Sequence, residues 1–172
     1  MRVRTYIGLG SNLAGPVQQV RRALVELSHL PGSRLVRHSR LYRNPAMVLE
    51  HTGQQPEYVN AVAALETGLP PGTLLRLLHQ LEHRHQRVRK GVWGPRTLDL
   101  DLLLYGHLRL QRRTLLLPHP GMYQRAFVVY PLRELNPHGV IPGRGSLVRC
   151  MAHLNPRTLC PVPPWRRRFP FG

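Results

Sequence analysis

Leu98-Asp99-Leu100-Asp101-Leu102-Leu103-Leu104-Tyr105 is the stretch that decides how the chain is read. Apolar residues at 98, 100 and 102 alternate with carboxylates at 99 and 101. A β-strand sends successive side chains to opposite faces, so the leucines share one face and both aspartates the other. Gly106-His107 follows as a turn into a short strand at 108–110. Upstream lies a basic, glycine-containing loop from Arg87 to Arg96, with Lys90, Gly91, Trp93 and Gly94 inside it. Before that loop a helix starts near Pro71, carries Leu74, Leu77, Leu78 and Leu81 on one face, and runs towards Val88.

Residues 58–66 alternate again, with Tyr58, Asn60, Val62 and Ala64 on one face and Val59, Ala61, Ala63 and Leu65 on the other. Residues 33–42 read as one weaker strand. The aperiodic stretch 44–56 is a loop long enough to have a job. At the start, residues 3–9 form a strand that ends at Gly10-Ser11-Asn12. A helix then opens at Pro16 and repeats Val17, Val20, Ala23, Leu24, Leu27 and Leu30 before Pro31-Gly32 stops it. The order is β-α-β-β-α-β, which predicts a ferredoxin-like α+β sandwich, an antiparallel sheet with both helices on one face. Extra C-terminal elements follow: a Pro/His-rich loop at 117–121, a helix over 125–135 and a short helix over 147–154.

With 172 residues the chain suits a single domain, read as 1–160 with an irregular Pro/Arg-rich tail at 161–172. No apolar run is long enough to cross a bilayer and no signal-peptide layout is present, so a cytoplasmic protein without a membrane partner is expected. Cys150 and Cys160 lack a CxxC spacing and read as reduced thiols. Lys+Arg number 25 against 8 Asp+Glu, a formal charge of +17 that suggests an anionic partner. Compositional or thermal bias is the competing explanation for the arginines. Asp99 and Asp101 are the only aspartates in the chain.

Two carboxylates about 7 Å apart on one strand face repel unless a cation compensates. Hard oxygen ligands at that reach suit Mg²⁺, which commonly takes one or two carboxylates plus substrate phosphates. A bare Asp-x-Asp is as readily a salt-bridged surface. The basic loop directly upstream changes the weighing, because cations beside a metal-competent pair are what phosphoryl-type transfer requires. Tyr58 and Asn60 share a face, offering an aromatic surface and an amide to a flat heteroaromatic ligand.

The run from Arg87 to Asp101, with WGPRTLDLD at its end, resembles the 6-hydroxymethyl-7,8-dihydropterin pyrophosphokinases of folate biosynthesis. So do Tyr6-Ile-Gly-Leu-Gly-Ser-Asn12, Tyr58-Val-Asn60, Leu117-Pro-His119 and Arg125-Ala-Phe127, in the family's order across roughly residues 3–155. The resemblance implies a ferredoxin-like fold and an Mg-dependent transferase that moves the diphosphate of ATP to the pterin hydroxymethyl group and releases AMP. It implies two Mg²⁺ held by Asp99 and Asp101, with Arg87 and Arg96 as catalytic cations. ATP would meet Glu82, Arg89, Trp93, Leu102, His119 and Arg125. The pterin would meet Asn44, Pro45, Tyr58, Asn60, Trp93 and Phe127. Thr114, Leu116 and Pro120 depart from residues common in the family. The partners expected are these two small molecules, with a monomer preferred to a homodimer.

Two other readings compete. The β-α-β-β-α-β order is shared with RRM modules, but no RNP1-type aromatic pattern occurs, so nucleic acid is not the expected partner. His79-Gln-Leu-Glu82-His83 fits the H-x-x-E-H zinc-peptidase pattern, with Glu134 as a distant third ligand. That helix already spends its apolar face on packing, and short patterns arise by chance among ten histidines.

Overall fold

The structure is a computed structural model that describes residues 1–46, 55–85 and 97–163. Its centre is β1 (Val3–Ser11), paired antiparallel with β4 (Tyr58–Thr67) on one side and β5 (Asp99–Tyr105) on the other. Beyond β4 lie β2 (Ser33–His38) and β3 (Tyr42–Asn44), both antiparallel to it. The mixed α+β architecture with its antiparallel sheet matches the ferredoxin-like expectation.

Helices α1 (Pro16–Ser28) and α2 (Pro71–Arg84) each begin at a proline, whose fixed φ suits the first helical turn. Val20, Ala23, Leu24 and Leu27 from α1, with Leu74, Leu78 and Leu81 from α2, are buried against one sheet face. That face supplies Ile7, Leu9, Val59, Ala61, Ala63, Leu65, Leu98, Leu100 and Leu102. The odd-numbered residues of β4, with Leu100 and Leu102 of β5, therefore face the helices, as their period requires.

The opposite face carries a second core. Tyr6, Val62, Ala64, Leu103 and Leu104 pack against Met122 and against Val128, Val129 and Leu132 of α3 (Ala126–Leu135). Ile141 and Leu147 complete it; they come from the β8 (Val140–Ile141) and β9 (Gly145–Ser146) hairpin and from α4 (Leu147–Met151). An RRM needs this face open to stack bases. Here α3 covers part of it, which removes the RNA-binding reading at its physical basis.

Three details depart from the sequence expectation. Residues 33–42 are two strands rather than one, because Ser39 interrupts the ladder: its Oγ accepts the Val62 N–H at 3.0 Å and donates to the Arg40 carbonyl at 2.7 Å. The register shifts between Tyr6 and Ile7, whose partners are Leu104 and Leu102, so Leu103 is the extra residue of a bulge. Consecutive Leu103 and Leu104 thus both reach the second core. Finally, residues 108–110 do not return along β5. The chain leaves the sheet and forms a separate hairpin of β6 (Leu110–Arg112) and β7 (Leu115–Leu117), with Arg113 and Thr114 at its tip.

Helix α2 ends at Arg84 with His85 as its C-cap, and residues 86–88, towards which the sequence expectation carries it, lie outside the described residues. Close to the chain end, β10 (Cys160–Pro161) pairs with β3, and the Val162 N–H donates to Leu41 at 2.8 Å. Leu78 is fully buried between helix and sheet, whereas Val148 is 55% exposed. Leu78→Ala is expected to destabilise the protein by about 2–5 kcal/mol, and Val148→Ala by less than about 0.5 kcal/mol; denaturant titration of both variants checks the difference.

Candidate active site

The antiparallel register sets the site. Asp99 lies opposite Gly10, Gly10 opposite Asn60, and Asn60 opposite Tyr42, so one row crosses β5, β1, β4 and β3. A second row runs from Asp101 through Gly8 to Val62. Glycines at 8 and 10 leave bare backbone between the carboxylates and Asn60. A Cβ on Gly10 would stand 2.9 Å from Asn60 Oδ1, closer than such atoms approach without displacement. Glycine inside a strand signals close approach of this kind, and that signal was present in the sequence as Gly-Leu-Gly.

Above this floor is a cavity of about 500 Å³. Tyr58, Asn60 and Asn44 line one end, and Phe127 and Val128 reach it from the first turn of α3. The Asn60 Nδ2 donates to Asn44 Oδ1, and the Asn44 Nδ2 donates to the Pro45 carbonyl at 2.9 Å. Both amides are buried. Pro45 is exposed and does not line the cavity.

Asp99 and Asp101, half-buried, form the middle of the lining. His119 stands beside them: its backbone N–H donates to Leu103 at 2.9 Å, and its Nε2 is 3.6 Å from Asp101 Oδ1. The His119 Nδ1 is a buried nitrogen with no hydrogen-bond partner among the described residues. Arg125 lines the cavity just ahead of α3, and its carbonyl accepts the Val128 and Val129 N–H groups at 3.0 Å.

The cavity continues past the edge strand β5 to Leu75, His79 and Glu82 of α2, to Leu102, and to Arg113–Leu116 at the hairpin tip. Glu82 is 3% exposed and accepts the Leu100 N–H at 2.8 Å, so a buried carboxylate fixes the backbone between the two aspartates.

Of the residues picked out from sequence, Asp99, Asp101, Glu82, Leu102, His119, Arg125, Asn44, Tyr58, Asn60 and Phe127 all line this one cavity. Arg87, Arg89, Trp93 and Arg96 lie outside the described residues. Sequence reasoning missed Gly8, Gly10, Gln55, Leu75 and Arg113 as lining residues. Nothing marked Arg113 among 25 Lys+Arg residues before the β6–β7 hairpin was known. The zinc pattern does not assemble: His83 is exposed and off the cavity, and Glu134 is engaged with Tyr42 and Arg40. Among the described residues no group of three His, Cys, Asp or Glu side chains could hold a metal by itself.

The family profile described as 7,8-dihydro-6-hydroxymethylpterin-pyrophosphokinase, HPPK, matches residues 6–137. The chain belongs to the HPPK family. A relative from Pseudomonas aeruginosa, named 2-amino-4-hydroxy-6-hydroxymethyldihydropteridine pyrophosphokinase, is 45% identical over 149 residues, 87% of this chain and 90% of its own. Its namesake from Haemophilus influenzae is 44% identical over 140 residues, covering 81% of this chain and 86% of the relative.

Among solved structures, an HPPK-DHPS in complex with substrates superposes with a TM-score of 0.65 at 10% identity, over 88% of this chain and 43% of that one. A Plasmodium falciparum HPPK-DHPS gives 0.67 at 9% identity, over 88% and 45%. At such identity these two support the HPPK fold alone, and the chain spans less than half of each.

The glycine floor makes a direct prediction for this HPPK. Gly10→Ala should leave the fold intact but push the Asn60 amide off Asn44. Side-chain amide resonances of Asn60 and Asn44 in an NMR spectrum should shift, and unchanged resonances would show that the floor tolerates a methyl group.

Proposed function

We propose that the protein transfers the β,γ-diphosphate of ATP to the hydroxymethyl oxygen of 6-hydroxymethyl-7,8-dihydropterin, a step of folate biosynthesis. The observation that carries this reading is the meeting, in one cavity, of an Asp99/Asp101 pair with the Tyr58, Asn60, Asn44 and Phe127 end across a floor of glycine. A flat heteroaromatic ring fits between Tyr58 and Phe127, and the two buried amides offer donors and acceptors to its polar edge. Its hydroxymethyl arm would then lie towards the carboxylates.

The donor set at the other end suits Mg²⁺. Two carboxylates and no third protein ligand among the described residues match an ion that completes its shell with phosphate oxygens and water. Asp99 and Asp101 would hold the two ions expected, which would supply screening of phosphate charge and easier deprotonation of the acceptor hydroxyl. His119 and Arg125 would neutralise phosphate oxygens as charge develops, and the first turn of α3 adds a positive dipole end at the same wall. Leu102, His79 and the 113–116 turn would receive the nucleoside beyond β5. Glu82 would act through the β5 backbone, keeping the aspartates in register.

Arg87, Arg89 and Arg96 would add positive charge against the triphosphate, and Trp93 an aromatic face. In the reaction the acceptor oxygen bonds to the β-phosphorus while the bridging oxygen leaves with AMP. Catalysis is then chiefly positioning and charge neutralisation. The two cysteines are free thiols, which suits the cytoplasm.

AMP formation should require both the pterin and Mg²⁺. Asp99→Ala and Asp101→Ala should fold and lose about a hundred- to a thousandfold in kcat, the scale on which a charge-stabilising group acts in a dry site. Full turnover in either folded variant would overturn the assignment. Arg87→Ala and Arg96→Ala should lower kcat more than they weaken ATP binding, because catalytic cations act mainly on developing charge; pre-steady-state turnover beside ATP titration separates the two effects.

A further inference from the structure

The two walls of the proposed pterin end come from different parts of the chain. Asn44 sits at the end of β3, and Phe127 sits on α3. Strand β3 is only three residues long, and its outer neighbour β10 has two. So short an edge needs help from side chains to hold its place.

Help comes from the far end of α3. The Tyr42 hydroxyl donates to Glu134 Oε1, and the Arg40 backbone N–H donates to Glu134 Oε2 at 3.0 Å. The Arg40 Nε lies 3.5 Å from Glu134 Oε1, and its guanidinium stands 5.6 Å over the Tyr42 ring. Tyr42 is 7% exposed and lies directly across from Asn60. Neither Tyr42 nor Glu134 lines the cavity.

We propose that Glu134 and Tyr42 are a positioning pair that fixes the spacing between the Asn44 wall and the Phe127 wall, and so sets affinity for the flat ring. The proposal rests on the pterin reading above. One end of α3 presents Phe127 to the cavity, while the other is tied through Glu134 to the strand that presents Asn44. A change of tilt or register between helix and strand would alter both walls together. Burial and the adjacent Glu134 carboxylate push the Tyr42 hydroxyl up to about 12, so it remains a donor across the physiological range. Asp99 and Asp101 hang on β5 and β1, so at the phosphate end only Arg125 and the first turn of α3 would feel this tie.

The test is a double-mutant cycle of Tyr42→Phe, Glu134→Leu and the pair, reading KM for the pterin, KM for ATP, kcat and thermal midpoint. Tyr42→Phe keeps the ring and its packing, so it reports on the bond even if Glu134→Leu folds poorly. Each single variant should raise the pterin KM about tenfold, the size of one charge-assisted hydrogen bond, with a clearly smaller rise in the ATP KM, since the carboxylate pair keeps its strands. The double variant should be little worse than either single, since both remove the same link. Additive effects, or equal rises for ATP and pterin, would reduce the pair to a general anchor and overturn the proposal. If the native protein itself neither binds the pterin nor forms AMP, the functional reading has failed and the proposal fails with it. Pterin turnover in the native protein with unchanged pterin KM in Tyr42→Phe would sink the pair alone.

Discussion

Everything at the site depends on β1 lying between β4 and β5 in one fixed antiparallel register. Side chains alternate with a period of two, so a slip of one residue would send Asp99 and Asp101 into the leucine core and put Leu100 on the face the carboxylates now occupy. The register is held by burial. Ile7 and Leu9 of β1 face the same helices as Ala61, Ala63 and Leu65 of β4 and Leu100 and Leu102 of β5. Gly8 and Gly10 are then obliged to face the cavity. The apolar pattern that folds the sheet also selects which residues meet a ligand.

Scarcity of acid is the second constraint. Nearly every described carboxylate away from the aspartate pair has an assignment. Glu66 is held below the usual carboxylate range by hydrogen bonds from Arg34 and Arg4. Glu26 bonds the His85 ring, which also meets Gln19 and ties α1 to the end of α2. Glu82 fixes the β5 backbone and Glu134 joins α3 to β3. Glu57 remains as an exposed acid. In a chain of +17, carboxylates thus mark the joints of the fold, and the clustering of Asp99 and Asp101 stands out against that pattern.

Alternation made the strands at 3–9, 58–66 and 98–105 legible, because each buries one face under a helix. Spacing of leucines did the same for α1 and α2. The second core was not legible as such: the helix over 125–135 was, but nothing in its period says which sheet face it covers, and the other pieces that join it, at 122, 141 and 147, are short. Ser39 could break a strand only once its hydroxyl had found the Val62 N–H, a partner 23 residues away. The Leu103 bulge is equally a product of pairing, since three consecutive leucines carry no hint of which two share a face. At the site, residues with distinctive chemistry were found in advance, while Arg113, Leu75 and Gln55 gain meaning only from their neighbours in space. The excess of surface arginine has no structural explanation.

The central claim is that one cavity joins a phosphate-handling carboxylate pair to a heteroaromatic cradle, and product analysis tests it most directly. Phosphorus NMR of the protein with ATP, Mg²⁺ and 6-hydroxymethyl-7,8-dihydropterin should show AMP and a diphosphate ester of the pterin growing at equal rates. Growth of ADP with a pterin monophosphate, or ATP hydrolysis indifferent to the pterin, would contradict the account.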